Sequence, residues 1–367
     1  MFLSRSLANS VSVRVSTPTA PTQRRIVAKR LGISEEALSL HDAADVIDLH
    51  VDSFIWRRIF GYDFRQRHTA FTRGVMMSQF DLPRALEAGV NGATWVITTN
   101  PLGDARDREA KFFENLGELT ALLESPEASA RVVRNASEYH AARAAGLHAA
   151  FIGVQGGNAL GHSLDAIDRL SPGIILRVTL LHLTSSRLGA TSSPLGGSDG
   201  LTDYGKDYVR RLNAHKILVD LAHISPAGFW DAVRAHEPGV PFVVTHTGVS
   251  GVFSHWRNLD DQQLRAVAKS GGTVGIMYHS EYLGDPIFRG KLDTIVQHVE
   301  HVINVAGEDH VSLGSDWDGS IITPRDMPTC LELPRLTQAM LERQWSEQRI
   351  RKVLGGNFLR VVAQLRG

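Results

Sequence analysis

Cysteine is almost missing from this chain: one residue in 367, Cys330. An internal disulfide and a cysteine-rich metal cluster are therefore excluded, and a small half-buried side chain is the ordinary reading of the lone thiol. Long apolar runs are missing as well. None approaches the roughly 20 residues that a membrane-spanning helix needs, so no membrane span is expected. Net charge is absent too, since 39 Lys and Arg balance 39 Asp and Glu. Electrostatic attachment to nucleic acid or to an anionic lipid surface gets no support from that total. What is there is 43% hydrophobic and 21% charged, the balance of a globular protein of enzyme size.

Residues 1–33 differ from the rest. The first thirty carry Arg5, Arg14, Arg24, Arg25, Lys29 and Arg30 without a single acid, among many Ser, Thr and Pro. The composition is like that of a transit peptide, but the apolar core of a secretory signal is missing. A poorly ordered tail or packing arm is expected over 1–33, then one domain over 34–367, with the cytoplasm as the default compartment. Ser34 followed by Glu35 and Glu36 reads as a helix start.

The stretch 44–52, Ala-Asp-Val-Ile-Asp-Leu-His-Val-Asp, alternates apolar and polar residues at period two. A strand is expected, with Asp48, His50 and Asp52 on one face at its C-terminal end. Buried charges must be paired or bound to a metal, and His-x-Asp offers a nitrogen and an oxygen donor suited to Zn²⁺. Alone, that motif is weak. Residues 53–80, aromatic and arginine-rich, read as a long loop over the strand's end.

Seven more apolar runs follow at 92–98, 149–155, 173–182, 216–223, 241–246, 272–279 and 310–316, nearly all separated by stretches with helical spacing. Near-continuous Val/Ile/Leu strands alternating with helices imply a parallel sheet buried on both faces. Eight such units fit a (β/α)₈ TIM-like barrel, whose functional groups gather at the C-terminal strand ends. The competing doubly wound sheet has no GxGxxG or P-loop in its favour. Under the barrel reading His50, Asp52, Gln155, His182, His223, His246, His279 and Asp316 all close strands around one rim. One histidine ending a strand is ordinarily structural; several histidines and two acids doing so point to a metal site. Two ions about 3.5–4 Å apart can activate a hydroxide and polarise a carbonyl, which suits amide or ester hydrolysis. For His279 a structural role stays open.

Over residues 45–363 the chain resembles the membrane (renal-type) dipeptidases, metallopeptidase family M19 of the amidohydrolase-like barrels. The resemblance is carried by Asp48-Leu-His-Val-Asp52, Gly156-Gly157, Gly200-Leu-Thr-Asp-Tyr-Gly205, Val219-Asp-Leu-Ala-His-Ile-Ser225, Thr245-His-Thr, Arg257-Asn-Leu, Gly314-Ser-Asp-Trp-Asp-Gly319 and Gly356-Asn-Phe-Leu-Arg-Val361. It implies a zinc dipeptidase that cleaves a dipeptide by metal-activated hydroxide. His50, Asp52 and Asp316 would bind one zinc, and His223 and His246 a second. His182 would contact the substrate near the scissile carbonyl, Arg257 would grip its carboxylate, and Asp316 would act as general acid and base. A homodimer is compatible with the resemblance, and the expected partner is a small-molecule substrate.

One position departs. The family has a metal-bridging glutamate where this chain has Gln155. A carboxylate offers an anionic oxygen to each ion, whereas a carboxamide has one neutral oxygen and an NH₂ that only donates. The site is left one positive charge in excess. A weaker second ion, a single metal, or compensation by Asp318 or water is expected. The alternative function is therefore a mononuclear or weakly binuclear hydrolase of a non-peptide amide, lactam or ester, or a pocket protein without turnover. Nitrogen and oxygen donors of this kind also accept Mn²⁺, Fe²⁺ or Co²⁺.

Overall fold

The computed structural model describes residues 21–69, 75–100, 103–194 and 196–367. Its centre is a ring of parallel strands. In chain order these are β1 (Ile47–Val51), β2 (Gly92–Thr98), β3 (Ala130–Val132), β4 (His148–Gln155), β5 (Ile175–Thr179), β6 (Leu218–Asp220), β7 (Val244–Thr247), β8 (Val274–Ile276) and β9 (Val311–Leu313). The order round the ring is β6-β5-β4-β2-β1-β9-β8-β7. A single parallel bridge, Asp220 to Val243, joins its two ends. The eight strands on that path are the eight apolar runs, so the (β/α)₈ architecture read from the sequence stands. No helix among the described residues is long and apolar enough to cross a membrane.

The short β3 is a ninth strand that the apolar runs do not reveal. β2 runs along one edge of β4 from Ala149 to Gln155. β3 takes the start of the opposite edge, at His148–Ala150, and β5 takes the remainder from Ile152. Three residues with the pattern Ala-Arg-Val are too few to show a period.

Ser34 caps the helix Glu35–Ala43, its Oγ accepting from the Ala37 N–H at 3.0 Å. Within the segment expected as a tail or arm, Pro21–Leu31 is helical and buries Ala28 and Leu31; residues 1–20 lie outside the described residues. The expected loop over 53–80 needs correction. It opens with a helix, Ser53–Phe60, that buries Phe54 and Trp56; residues 70–74 of that span lie outside the described residues. The usual signal for a helix start is missing for a physical reason. Asp52 occupies the capping position but makes no side-chain cap bond, because its carboxylate is turned towards the barrel mouth. The C-terminal helical stretch is three pieces: Glu347–Arg351, a π-helical turn Lys352–Gly356, and Asn357–Arg366. A Cβ on Gly355 would come within 2.5 Å of Asp45 O, so the glycine lets this turn press against the approach to β1.

Candidate metal centre

His50, next to last in β1, has its ring fully buried. Its Nε2 is 3.2 Å from Asp52 Oδ2 and 3.6 Å from Asp316 Oδ1. Ligands at about 2.0–2.1 Å from a tetrahedral zinc stand roughly 3.3 Å apart, so each acid lies about one ligand-to-ligand spacing from His50. His246 joins them: one ligand atom each from His50, His246 and Asp316 fall within 4.8 Å of one another. The His50 and His246 ring centroids are 3.8 Å apart. His223 Nε2 faces His246 Nε2 at 2.8 Å, and Gln155 Nε2 is 3.4 Å from His223 Nε2. The His182 and His223 rings meet edge to face at 4.8 Å. Of the residues singled out in the sequence, His50, Asp52, Gln155, His182, His223, His246 and Asp316 therefore come together, drawn from six strand ends.

Two others do not join them. His279 uses Nδ1 to accept the Ile322 N–H at 3.3 Å and rests against Tyr282. Asp318, considered as compensation for Gln155, is occupied elsewhere. Ser53 Oγ donates to its Oδ2 at 2.5 Å, the Gln79 N–H to its Oδ1 at 2.8 Å, and Trp56 Nε1 to its carbonyl at 2.6 Å. These bonds tie the loop after β9 to the helix after β1, so the carboxylate is a strut. Asp48 is likewise committed to backbone, accepting from the N–H groups of His50 and Ser315 at 2.9 and 3.1 Å.

The sequence reading missed the support underneath. Arg177 in β5 and Asp220 in β6 are completely buried and form an ion pair at 3.0 Å. Asp220 also accepts from Thr179 Oγ1 at 2.5 Å, Thr245 Oγ1 at 2.6 Å and Thr245 N at 3.0 Å. Arg177 Nη2 donates to His50 Nδ1 at 2.8 Å. Gly153 leaves room for that guanidinium, since a Cβ there would lie 3.2 Å from Arg177 Cζ and 2.9 Å from Thr94 Cγ2. A charged residue inside each of two apolar strands was the available signal, because such charges must find each other. Thr98 was also missed. Its hydroxyl donates to Asp52 Oδ1 and so aims Oδ2 at His50.

These contacts assign protons. Thr245 has one hydroxyl hydrogen and gives it to Asp220, so its oxygen accepts from His246 Nδ1–H at 3.0 Å. His246 Nε2 thus carries a lone pair directed into the cluster, towards His223 Nε2, the state a metal requires. A guanidinium only donates, so in this geometry His50 carries its proton on Nε2; to ligate through that atom as a neutral imidazole it would move the proton to Nδ1 and give up the bond from Arg177. Burial pushes His223 and His246 well below the usual imidazole range, with the Arg257 charge adding to the effect, and pushes His182 down to about 4. Burial, reinforced by Asp52, raises Asp316 well above the carboxylate range. Neutral imidazoles beside buried acids form a donor set that a divalent cation completes. The residues present fit a metal.

Backbone geometry agrees. His223 and Asp316 both sit in the left-handed region, at φ 64°. Such a conformation costs a non-glycine residue on the order of 1–3 kcal/mol and is characteristic of functional sites. Arg257 lies beyond β7 with Nη2 donating to His246 O at 2.7 Å. It is 4% exposed, its Nε has no hydrogen-bond partner, and no carboxylate lies within ion-pair distance among the described residues. Burial lowers its pKa to about 10, a shift that Asp316 partly offsets.

Solved structures share this architecture. Dipeptidase AC, a metallopeptidase of family M19, is 26% identical with a TM-score of 0.77, and the match covers 88% of this chain and 98% of that one. A metallopeptidase from Rhodobacter sphaeroides, solved with a phosphinate mimic of the dipeptide L-Ala-D-Ala, is 25% identical with the same TM-score, covering 88% and 99%. Among curated proteins, an uncharacterised protein from the 5′ region of pqqA in Klebsiella pneumoniae is 39% identical over 166 residues, 44% of this chain. The chain spans about 60% of that relative's length. The family model for membrane dipeptidases matches residues 34–366, and the chain belongs to that family, peptidase family M19.

Proposed function

We propose that the protein is a metal-dependent dipeptidase, with zinc as its metal. The observation that carries this reading is the convergence of His50, His246 and Asp316 within 4.8 Å of one another, with Asp52 against His50, beside a buried Arg257 that has no ion-pair partner among the described residues. His50, Asp52 and Asp316 would hold one ion, with His223 and His246 holding a second. When bound, the metal supplies Lewis acidity and a nucleophilic water near neutral pH. Everything else falls to side chains of this chain. Arg257, a buried guanidinium with an orphan Nε, is suited to the planar carboxylate of a dipeptide. His182, held neutral by burial, can donate a hydrogen bond to the scissile carbonyl oxygen as negative charge develops there. Asp316, a buried carboxyl at the rim, can take a proton from the attacking water and pass it to the leaving amine.

Gln155 favours a second reading, a hydrolase with one tight metal acting on a non-peptide amide, lactam or ester. Its carboxamide stands beside His223 where a bridging carboxylate would neutralise one further charge. Metal analysis with a dipeptide panel decides between them. Two zinc equivalents and dipeptide turnover are expected; one equivalent without dipeptide cleavage would favour the second reading. Neither metal uptake nor cleavage after zinc reconstitution would leave a pocket protein. In Gln155→Glu the weaker zinc should bind about tenfold tighter or more by titration against a competing chelator. Unchanged affinity would remove residue 155 from the metal's surroundings.

A further inference from the structure

A second guanidinium stands across the barrel mouth from Arg257. In the ring order β6-β5-β4-β2-β1-β9-β8-β7, β2 is four places from β7, halfway round. Arg257 holds the carbonyl of His246 in β7. Arg58, from the helix Ser53–Phe60, donates Nη1 to the carbonyl of Thr98, the last residue of β2, at 2.7 Å. The candidate metal centre lies between the two. Arg58 lines a cavity of about 310 Å³ together with Ile55, Thr98, Asn158, Leu181 and His182. Thr98 donates to Asp52, and the His182 ring packs against His223, so this cavity abuts the centre directly. The nearby acid Glu118 lies 3.5 Å from Arg57, and Arg58 has no ion-pair partner among the described residues.

We infer that this cavity receives the substrate side chain on the amine side of the scissile bond, and that Arg58 selects an acidic one. The inference rests on the dipeptidase reading. With Arg257 holding the carboxylate end near β7 and the scissile amide over the metal cluster, the remaining residue extends towards β1 and β2. There Ile55 and Leu181 pack its methylenes and exclude water, which strengthens the bond between the free guanidinium edge and a carboxylate. A lysine or arginine side chain in the same place meets like charge and is disfavoured.

The test compares the zinc-loaded protein on Glu-Ala and Gln-Ala, which differ only in the acid, and on Ala-Glu and Ala-Gln as the positional control. Wild type should favour Glu-Ala over Gln-Ala by about tenfold or more in kcat/KM, the size of one charge-assisted hydrogen bond. The control pair should differ far less. Arg58→Met should bring the first ratio close to one, chiefly through KM, and Arg58→Lys should keep part of it, with thermal melts confirming that both variants fold. Calorimetric binding of the Glu-Ala and Gln-Ala phosphinate analogues reads the same preference without turnover. Should no dipeptide be cleaved, the dipeptidase reading fails while the binding ratio still decides the role of Arg58. A wild-type ratio near one, a ratio unmoved in Arg58→Met, a preference confined to the Ala-Glu pair, or binding of neither analogue overturns the inference.

Discussion

Histidines at the two ends of the barrel share a residue type and a degree of burial, yet their surroundings differ. At the N-terminal end, His41 Nε2 donates to Ala88 O at 2.9 Å while Nδ1 accepts from Thr337 Oγ1 at 2.8 Å. His148 Nδ1 donates to Val90 O at 3.0 Å and Nε2 accepts from Trp95 Nε1 at 3.2 Å. Every ring nitrogen there has one protein partner of the right kind. At the C-terminal end, His246 and His223 turn Nε2 atoms towards each other, and His50 faces two acids. Burial is equal, so burial does not mark a site. What marks the rim is that its ring nitrogens face one another and buried acids, an arrangement that a shared cation would satisfy.

The largest expected effect is at the rim. Asp316→Asn should lower kcat on any substrate the wild type cleaves by about 10²–10⁴, the usual size of a lost general acid–base group. Its metal-free stability should hold or rise, because one buried acid without a partner cation is gone; a loss of several kcal/mol in denaturant melts would make Asp316 a structural residue. Next comes the layer joining the rim to the fold. Arg177→Met leaves Asp220 charged and buried, so a loss of about 3–5 kcal/mol is expected. A melt unchanged from wild type would mean that the pair does not support the barrel.

The smallest effect belongs to the N-terminal end and reads out as pH dependence. Burial lowers His41 and His148 to about 4 from the ordinary 6.5. The unfolded chain therefore binds protons between those values while the folded chain does not, so stability is full above about 6.5 and falls as pH drops towards 4. Each ring contributes on the order of 3 kcal/mol across that window. In zinc-free protein His148→Asn should flatten the decline measured by urea melts at successive pH values, and an unaltered slope would show that His148 does not stay neutral in the fold.

The strands were legible because a buried parallel strand is a short apolar run, and the rim was legible because its donors interrupt such runs at their ends. Other parts were hidden for definite reasons. The helix Ser53–Phe60 lacks a capping signal since Asp52 serves the site instead. Arg177 and Asp220 sit 43 residues apart, and only the closed ring puts β5 beside β6. Asp318 looks like a ligand in Gly314-Ser-Asp-Trp-Asp-Gly319, but which acid faces inward depends on backbone turns that spacing does not encode: Asp316 and Asp318 both have positive φ.

The single bridge that completes the ring falls on Asp220, and the same carboxylate positions Arg177 behind His50 and Thr245 behind His246. Shape and chemistry thus have a common keystone. A lineage drifting towards inactivity could shed Asp316 or Arg257 and remain a sound cylinder, but losing Asp220 would slacken the seam and misaim two imidazoles at once. Durability of this acid is accordingly what the architecture asks for even in descendants that have stopped doing catalysis.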